Sequence, residues 1–262
     1  MQTESAPSIA RRFRLDGKVA VVTGASKGIG EAIAHGLAEF GAHVVVSSRK
    51  QEAVEEVAAA IRDGGYEATG LACHMGDADE IRAFVDRVVD EYGGIDIVVN
   101  NAAANPVYGP VEDTDEGAFD KIMDVNLRGP FELGKRALPS MQARGGGSII
   151  NISSIGGLNP EPGIGIYSVS KAAIINLTKV MAKEWGVHGV RANVICPGLV
   201  KTKFSKALWD NEAMMGMLET RLPLGRIGQP EEMAGAAVFL ASDAASYCTG
   251  AVVLADGGFM LM

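Results

Sequence analysis

Tyr167 and Lys171 form the pair of side chains best suited to acid–base chemistry. They lie four residues apart in a segment with a helical pattern, so they share one face of the predicted helix. A tyrosine ionises at a pKa of about 10, and a neighbouring ammonium group together with the positive charge of a cationic cofactor ring can lower that pKa toward neutrality. A phenol tuned in this way can protonate a carbonyl oxygen or deprotonate an alcohol, which predicts Tyr167 as the acid and base.

Two other polar residues are candidates for the same site. Ser154 follows an apolar run at 148–153 that is typical of a strand, and its hydroxyl can hydrogen-bond a substrate oxygen. Asn126 lies inside a predicted helix, where an asparagine usually faces solvent or caps a turn. Taken alone, these residues therefore favour Ser154 and leave the role of Asn126 open.

A glycine-rich turn follows the first predicted strand. Apolar residues 19–22 lead into Thr23-Gly24-Ala25-Ser26-Lys27-Gly28-Ile29-Gly30 and then into a helical pattern. Glycines here permit a tight turn and let the backbone approach a pyrophosphate, and the N–H groups of the helix N-terminus attract its charge. The spacing differs from the commoner G-x-G-x-x-G, so the pattern favours a dinucleotide, with a purely structural turn as the alternative.

The end of the second predicted strand indicates which dinucleotide fits. An acidic residue there would hydrogen-bond the ribose 2′-hydroxyl of NAD, but this chain continues Ser48-Arg49-Lys50. Arg49 can bind a 2′-phosphate through its fork of donors, with Ser48 and Lys27 nearby. The pattern predicts NADP(H) as the cofactor, with NAD less favoured. The alternative is that Arg49 and Lys50 only begin a solvated helix.

Short apolar runs alternate with helical patterns along the whole chain. Strands are predicted at 18–23, 43–47, 67–73, 95–100, 148–153, 191–195 and 251–254. Helices are predicted at 28–40, 51–62, 78–92, 118–143, 166–185 and 231–240, with Gly129-Pro130 as a candidate break in the fourth. This alternation predicts the α/β class, as a Rossmann-type, doubly wound, parallel seven-stranded sheet with helices on both faces, in a single domain.

Two segments differ from this alternation. Residues 1–14 lack an apolar pattern, and we interpret them as a disordered leader before a domain at 15–262. Residues 199–226 show no clear strand and are rich in Met, Leu and aromatic side chains. In an α/β fold an insertion there lies at the carboxyl edge of the sheet, where ligands bind, which predicts a substrate lid. A packing or subunit-contact segment is the alternative.

Composition disfavours several other classes of protein. The chain of 262 residues has a net charge of −8, which disfavours binding to nucleic acid or to an anionic membrane. Cys73, Cys196 and Cys248 are far apart and odd in number, so neither a disulfide framework nor a zinc site is expected. The histidines are scattered and no segment is apolar enough to span a bilayer. We predict a cytoplasmic protein without a bound metal.

Together these motifs resemble those of the short-chain dehydrogenase/reductase family over about residues 15–258. The shared residues are Thr23-Gly24-x-x-x-Gly28-x-Gly30, Asn100-Asn101-Ala102-Ala103, Asn126, Ser154, Tyr167-x-x-x-Lys171 and Pro197-Gly198-Leu199-Val200-Lys201-Thr202. The resemblance implies that Asn126, Ser154, Tyr167 and Lys171 act together. It implies that Tyr167 is the acid and base, that Lys171 holds the nicotinamide ribose and tunes Tyr167, and that Ser154 orients the carbonyl. It also implies that Asn126 anchors a water in a proton relay.

The resemblance further implies the residues around the cofactor. Contacts are expected from Gly24, Ser26, Lys27, Gly28, Ile29, Gly30, Ser48, Arg49, His74, Met75, Asn101, Ala102, Ala103, Tyr167, Lys171, Pro197, Gly198, Val200 and Thr202. Two of them depart from the family pattern. His74 stands where an aspartate usually contacts adenine, and Ala103 replaces a glycine that borders the cofactor.

The expected substrate pocket is mostly apolar. Its residues are Ser154, Tyr167, Asn105, Pro106, Leu199, Phe204 and Trp209. Such a lining favours aromatic or bulky aliphatic carbonyls over sugars.

A closer likeness is to the dehydrogenase/reductase family member 4 group of NADPH-dependent carbonyl and retinal reductases, through residues 43–51, 73–76, 93–97 and 101–106. It implies an NADPH-dependent oxidoreductase that reduces ketones and aldehydes reversibly. The family resemblance and the apolar tail at 259–262 favour a homotetramer. Two alternatives stay open. One is an NAD-dependent alcohol, sugar or steroid dehydrogenase, and the other is a catalytically silent dinucleotide-binding sensor or scaffold.

Overall fold

A parallel β-sheet forms the centre of the structure, a computed structural model that describes residues 8–210, 215–216 and 220–261. Its strands are β1 (Val19–Thr23), β2 (His43–Ser48), β3 (Ala68–Ala72), β4 (Ile97–Asn100), β5 (Gly147–Ile152), β6 (Val190–Pro197) and β7 (Val252–Ala255). Their order is β3-β2-β1-β4-β5-β6-β7, and every neighbouring pair is parallel. The predicted seven-stranded, doubly wound sheet is therefore confirmed. The order reverses between β1 and β4, and their carboxyl ends form the kind of crevice in which ligands bind.

Helices cover both faces of this sheet. They are α1 (Gly28–Glu39), α2 (Gln51–Asp63), α3 (Ala78–Tyr92), α4 (Glu116–Met123), α5 (Gly129–Ala143), α6 (Gly165–Trp185), α7 (Lys206–Trp209) and α8 (Pro230–Ala241). Side chains of α1, α2 and α8 pack with Val22 and Val44 in one hydrophobic core. Side chains of α3, α5 and α6 pack with Val21 and Val45 in the other. Because successive strand residues point to opposite faces, both of which are covered, residues 19–22 of β1 and 44–46 of β2 are all apolar.

Local sequence signals set the ends of α3. The Asp77 side chain accepts hydrogen bonds from the N–H groups of Asp79 and Glu80 and caps the start of the helix. Gly93, with φ at +74°, ends it in the left-handed conformation that favours glycine. These caps explain why the boundaries predicted at 78–92 agree with the structure.

The helix predicted at 118–143 contains an irregular turn. It consists of α4, a π-helical turn at Asp124–Arg128, and α5. The irregularity precedes Gly129-Pro130 rather than falling on it, because Pro130 lies in the first turn of α5, where its missing N–H group is tolerated. Asn126 lies within the π-helical turn, a feature that is frequent at functional sites.

The segment before β1 differs from its prediction. The disordered leader was predicted at 1–14, of which residues 1–7 lie outside the described part of the chain. Ile9–Phe13 instead forms a 3-10 helix, and the Phe13 ring centroid lies 6.3 Å from that of Phe239 in α8. Packing of this one apolar side chain explains the order, and the lack of periodicity around it explains why the sequence did not predict it.

The predicted lid at 199–226 lies partly outside the described residues, which omit 211–214 and 217–219. Its described part begins after β6, forms a bridge between Val200 and Gly228, and contains α7. The apolar tail at 259–262 forms a 3-10 helix at Phe259–Leu261, and its last residue is not described. Within the described ranges, no helix is long and apolar enough to cross a membrane.

Candidate active site

The glycine-rich turn between β1 and α1 has the backbone shape that its sequence predicts. Gly24 and Gly28 have φ values of +63° and +62°, in the left-handed region that favours glycine. A Cβ atom on Gly24 would lie 2.7 Å from the Ala102 Cα, so the turn touches the loop after β4. α1 opens at Gly28, and the N–H groups of its first turn form a cradle of the kind that binds a pyrophosphate.

Thr23 and Asn101 join the two sides of this crevice. The Thr23 hydroxyl accepts hydrogen bonds from the N–H groups of Asn101 at 3.1 Å and Ala102 at 3.2 Å. The amide nitrogen of the Asn101 side chain donates to the carbonyl oxygens of Thr23 and Gly24, each at 3.0 Å. Asn101 therefore shapes the glycine turn, a role that its prediction as a cofactor contact did not include.

The other predicted cofactor residues surround the same crevice. Ser26, Lys27, Ile29 and Gly30 lie in the turn or in α1, Ala103 lies in the loop after β4, and Pro197, Gly198, Val200 and Thr202 end or follow β6. Thr202 Cγ2 would lie 3.2 Å from a Cβ atom on Gly28. The segment after β6 thus meets the glycine turn, as the prediction requires.

Polar and basic groups lie at the ends of β2 and β3. Ser48 ends β2, and the next residue, Arg49, is exposed, as is Lys27. Neither cation forms an ion pair with a carboxylate in the described part of the chain. After β3, His74 Nδ1 accepts a hydrogen bond from the Gly76 N–H group at 3.1 Å, so its Nε2 carries the hydrogen in the neutral ring. The next residue, Met75, is buried. The end of β2 thus offers a hydroxyl group and a cation, with no carboxylate at positions 47–50.

Tyr167 and Lys171 lie in the first two turns of α6, and the structure brings their side chains together. Lys171 is 3% exposed, and its Nζ donates to the Ile152 carbonyl oxygen at 2.8 Å. The same Nζ lies 5.6 Å from the centroid of the Tyr167 ring. Burial lowers the pKa of Lys171 to about 8, because a buried ammonium group is poorly solvated.

The pKa of Tyr167 lies above its ordinary value when only the protein's own groups act on it. Burial of the phenol raises this pKa, a hydrogen bond with Ser154 lowers it, and the nearby Tyr108 raises it, with burial the largest effect. The protein's own groups therefore keep Tyr167 protonated at neutral pH.

Two serines at the end of β5 contact the same region. The Ser154 Oγ accepts a hydrogen bond from the Gly156 N–H group at 3.0 Å, which fixes its orientation beside Tyr167. The Ser153 Oγ donates to the Lys171 carbonyl oxygen at 2.7 Å. The end of β5 thus holds α6 against the sheet and places the Ser154 hydroxyl within hydrogen-bond reach of Tyr167.

Asn126 is buried in the π-helical turn, with 1% of its surface exposed. Its Oδ1 accepts from the Ala104 N–H group at 2.7 Å, and its Nδ2 donates to the Ala104 carbonyl oxygen and to Ser170 Oγ, each at 3.0 Å. Both amide hydrogens are therefore used within the protein.

Phe204 faces Tyr167 at the mouth of the site, with ring centroids 6.0 Å apart. Asn105 and Pro106 lie in the loop after β4, and Leu199 lies in the segment after β6. Phe204 thus places an apolar side chain next to the phenol.

Two further aromatic side chains are Trp209, which was predicted to line the substrate pocket, and Tyr108, which was not predicted. Trp209 Nε1 donates to the Thr202 carbonyl oxygen at 2.8 Å, and Lys201 Nζ lies 5.4 Å from its ring, so the indole packs on its own segment. Tyr108 was not predicted, although it interacts electrostatically with Tyr167 and is 56% exposed. Its position two residues after Pro106 is the signal that could have identified it.

Comparison with known proteins agrees with this geometry. A family model described as Enoyl-(Acyl carrier protein) reductase matches residues 24–260. Dehydrogenase/reductase SDR family member 4 from Homo sapiens is 46% identical over 251 residues, which cover 95% of this chain and 90% of that protein. Gluconate 5-dehydrogenase from Burkholderia cenocepacia J2315, solved in complex with NADP and tartrate, is 38% identical with a TM-score of 0.92 and coverage of 96% and 98%. A 7α-hydroxysteroid dehydrogenase complexed with NADH and 7-oxo glycochenodeoxycholic acid is 34% identical, with a TM-score of 0.91 and coverage of 95% and 96%.

The chain belongs to the short-chain dehydrogenase/reductase family. It is an oxidoreductase that uses NAD(P), built on one Rossmann-like domain. The predicted family, fold and enzyme class are confirmed. The solved relatives include both an NADP and an NADH complex.

Proposed function

We propose that this chain is an NADPH-dependent carbonyl reductase that converts ketones and aldehydes to alcohols. The observation that carries the proposal is the environment of Tyr167. Its phenol is hydrogen-bonded with Ser154 and faces Phe204, and Lys171 Nζ lies 5.6 Å from the centroid of its ring. This arrangement places a phenol that can give its proton to a carbonyl oxygen beside a hydroxyl that can hydrogen-bond the same oxygen.

In the proposed mechanism, Ser154 and Tyr167 hydrogen-bond the carbonyl oxygen of the substrate, and Tyr167 donates its proton to that oxygen. The reduced nicotinamide supplies the hydride that reaches the carbonyl carbon. Lys171, which is charged below its pKa of about 8, stabilises the phenolate that remains. Its contact with the nicotinamide ribose and the water relay at Asn126 stay predictions from the resemblance.

The cofactor is proposed to be NADPH because the end of β2 offers Ser48 and Arg49 without an acid. We expect Arg49→Asp to weaken NADPH binding about 10- to 100-fold, which corresponds to loss of a hydrogen bond to a charged group. NADH binding should change little. Titration of the intrinsic fluorescence with each dinucleotide measures both affinities.

Lys50→Asp is the matched control, since it makes the same change in net charge at the neighbouring position. It should leave the ratio of the two affinities near that of the unmodified protein. An equal loss of NADPH and NADH affinity in Arg49→Asp would contradict the assignment of Arg49 to the phosphate.

The substrate is proposed to be an aromatic or bulky aliphatic carbonyl compound, because the apolar ring of Phe204 faces Tyr167. Oxidation of NADPH should be faster with aromatic ketones and aldehydes than with keto sugars. Bound NADPH without turnover of any carbonyl would favour the silent sensor or scaffold. Tighter binding of NADH would favour an NAD-dependent alcohol, sugar or steroid dehydrogenase. This is the main alternative, because the solved relatives include a gluconate dehydrogenase and a hydroxysteroid dehydrogenase.

The assembly is proposed to be a homotetramer. An apolar groove between α5 and α6 is lined by Met123, Leu127, Phe131, Ala173, Leu177 and Val180, together with Arg128 and Asn176. A second surface lies at the edge strand β7, where Leu254 is 46% exposed. Exposed apolar patches of this kind mark protein contacts. If each of the two surfaces pairs with the same surface of another copy of the chain, the result is a symmetric tetramer. The substrate lid at 199–226 and the cytoplasmic location stay predictions.

A further inference from the structure

Ser170 is a buried serine of α6 whose hydroxyl group makes two hydrogen bonds. Its Oγ donates to the Tyr167 carbonyl oxygen at 2.6 Å and accepts from Asn126 Nδ2 at 3.0 Å. The residue is 0% exposed, so water does not compete for either bond. The hydroxyl therefore joins the turn of α6 that carries Tyr167 and Lys171 to the π-helical turn of Asn126.

The chemistry of the groups fixes the direction of each bond. The Ala104 N–H group can only donate, so the Asn126 atom 2.7 Å away must be the acceptor Oδ1. Both hydrogens of Nδ2 are then directed at the Ala104 carbonyl oxygen and at Ser170 Oγ. The single hydrogen of Ser170 goes to the Tyr167 carbonyl oxygen. These bonds form one connected series in which no group can be reversed, and buried series of this kind hold their members rigidly.

The series connects segments that are distant in the sequence. Ala104 is 22 residues from Asn126, and Ser170 is 44 residues from it. Ser153 holds the other end of the same helical turn, because its Oγ donates to the Lys171 carbonyl oxygen at 2.7 Å. This turn of α6 is therefore held at both ends. The π-helical turn holds it at the Tyr167 carbonyl through Ser170, and the segment after β5 holds it at the Lys171 carbonyl through Ser153.

We propose that Ser170 is a positioning residue for carbonyl reduction, an inference that rests on the proposed function. Its hydroxyl sets the angle at which α6 presents the Tyr167 phenol and the Lys171 ammonium group toward the loop at Ala104. Proton donation to the substrate oxygen depends steeply on this geometry, since a displacement of about 1 Å can lower a rate about 100-fold. Ser170 acts through Tyr167 and touches no reacting atom.

The test compares Ser170→Ala with Ser168→Ala. Both serines lie in α6 and are buried, but Ser168 Oγ has no hydrogen-bond partner among the described residues. We expect Ser170→Ala to lower kcat about 10- to 100-fold, to leave KM for the carbonyl near its original value, and to move the pH profile of kcat. Ser168→Ala should change none of these quantities.

Stability is measured alongside, because Ser170→Ala leaves one hydrogen of Asn126 without a buried partner. All assays are run at a temperature where each variant is folded. Ser170→Thr restores a hydroxyl that can bond the same carbonyl, so it should recover part of kcat. Equal kcat and pH profiles in the two alanine variants would overturn the proposal. A loss of activity explained entirely by the unfolded fraction would also overturn it.

Amide hydrogen exchange separates this proposal from the proposed function. The amides at 167–171 should exchange faster in Ser170→Ala than in Ser168→Ala, whether or not any carbonyl is turned over. Absence of turnover in the unmodified protein would refute carbonyl reduction alone. Unchanged exchange would refute the positioning role of Ser170, even in an active reductase.

Discussion

The ionisation of Lys171 is the residue-scale feature with the most direct consequence for activity. Burial gives it a pKa of about 8, well below the ordinary value of 10.5. The ammonium form predominates below that pKa, and the neutral amine predominates above it. Since only the ammonium group stabilises the phenolate of Tyr167, the proposed reduction depends on the protonated form.

We therefore expect kcat for carbonyl reduction to fall as the pH rises through about 8. Steady-state rates of NADPH oxidation, measured on both sides of that pH with saturating substrates, check this. In Lys171→Arg the guanidinium group stays charged, so the fall should move to higher pH even though the overall rate is lower. A fall at the same pH in both proteins would assign it to another group.

At this scale the residue types and their spacing were enough to predict that Tyr167, Lys171 and Ser154 meet. The spacing did not show that burial raises the pKa of Tyr167 in the protein alone, because burial of the phenol depends on packing by segments distant in sequence. Ser170 was missed for a similar reason. Its importance comes from a partner 44 residues away, and a serine before a lysine carries no signal of that contact.

At the scale of elements, the 3-10 turn Ile155–Gly157 packs closely against the first turns of α6. This contact determines where the part of α6 that carries Tyr167 and Lys171 lies. A Cβ atom on Gly157 would lie 2.6 Å from the carbonyl carbon and oxygen of Lys171, which is backbone and cannot rotate away. Gly235 is the contrasting case. It is exposed in α8, and a Cβ atom there would meet no atom within 4 Å.

We expect Gly157→Ala to lower the free energy of unfolding by about 1–3 kcal/mol through overpacking. It should also lower kcat, because α6 must move away from the Ile155–Gly157 turn and Lys171 moves with it. Gly235→Ala should raise the free energy of unfolding by about 0.5–1 kcal/mol, since alanine favours a helix more than glycine does. Urea denaturation and steady-state kinetics measure both effects. A Gly157→Ala protein as stable as Gly235→Ala would show that α6 can shift freely.

The sequence predicted the strands and most helices within a few residues, because their apolar periodicity is strong. It did not predict the π-helical turn Asp124–Arg128. That turn accompanies the hydrogen bonds of Asn126 to Ala104 and Ser170, and these tertiary contacts leave no periodic pattern in the chain. The 3-10 helix Ile9–Phe13 was missed because a single phenylalanine anchors it.

At the scale of the whole molecule, the apolar groove between α5 and α6 should be covered by a second copy of the chain. Phe131 is 37% exposed at this groove. We expect Phe131→Glu to reduce the proposed tetramer to a smaller species, because it places a charge in an apolar contact. Light scattering coupled to size-exclusion chromatography measures the mass.

Tyr66→Glu is the control, since Tyr66 is similarly exposed at 40% and lies outside the groove. It should leave the assembly unchanged. A monomeric unmodified protein at micromolar concentration would contradict the proposed assembly, and an intact tetramer of Phe131→Glu would exclude the groove as its interface.

The sheet order also has a consequence for synthesis of the protein. β7 pairs with β6 from Val194 to Pro197, and it is the last of the sheet's strands to leave the ribosome. Until β7 arrives, β6 is an open edge whose N–H and C=O groups can pair with another nascent chain. Val194 and Cys196, which are buried in the finished sheet, are uncovered during that interval. Aggregation during translation should therefore be greatest when all but the last strand has emerged, which is when a chaperone would protect this chain most.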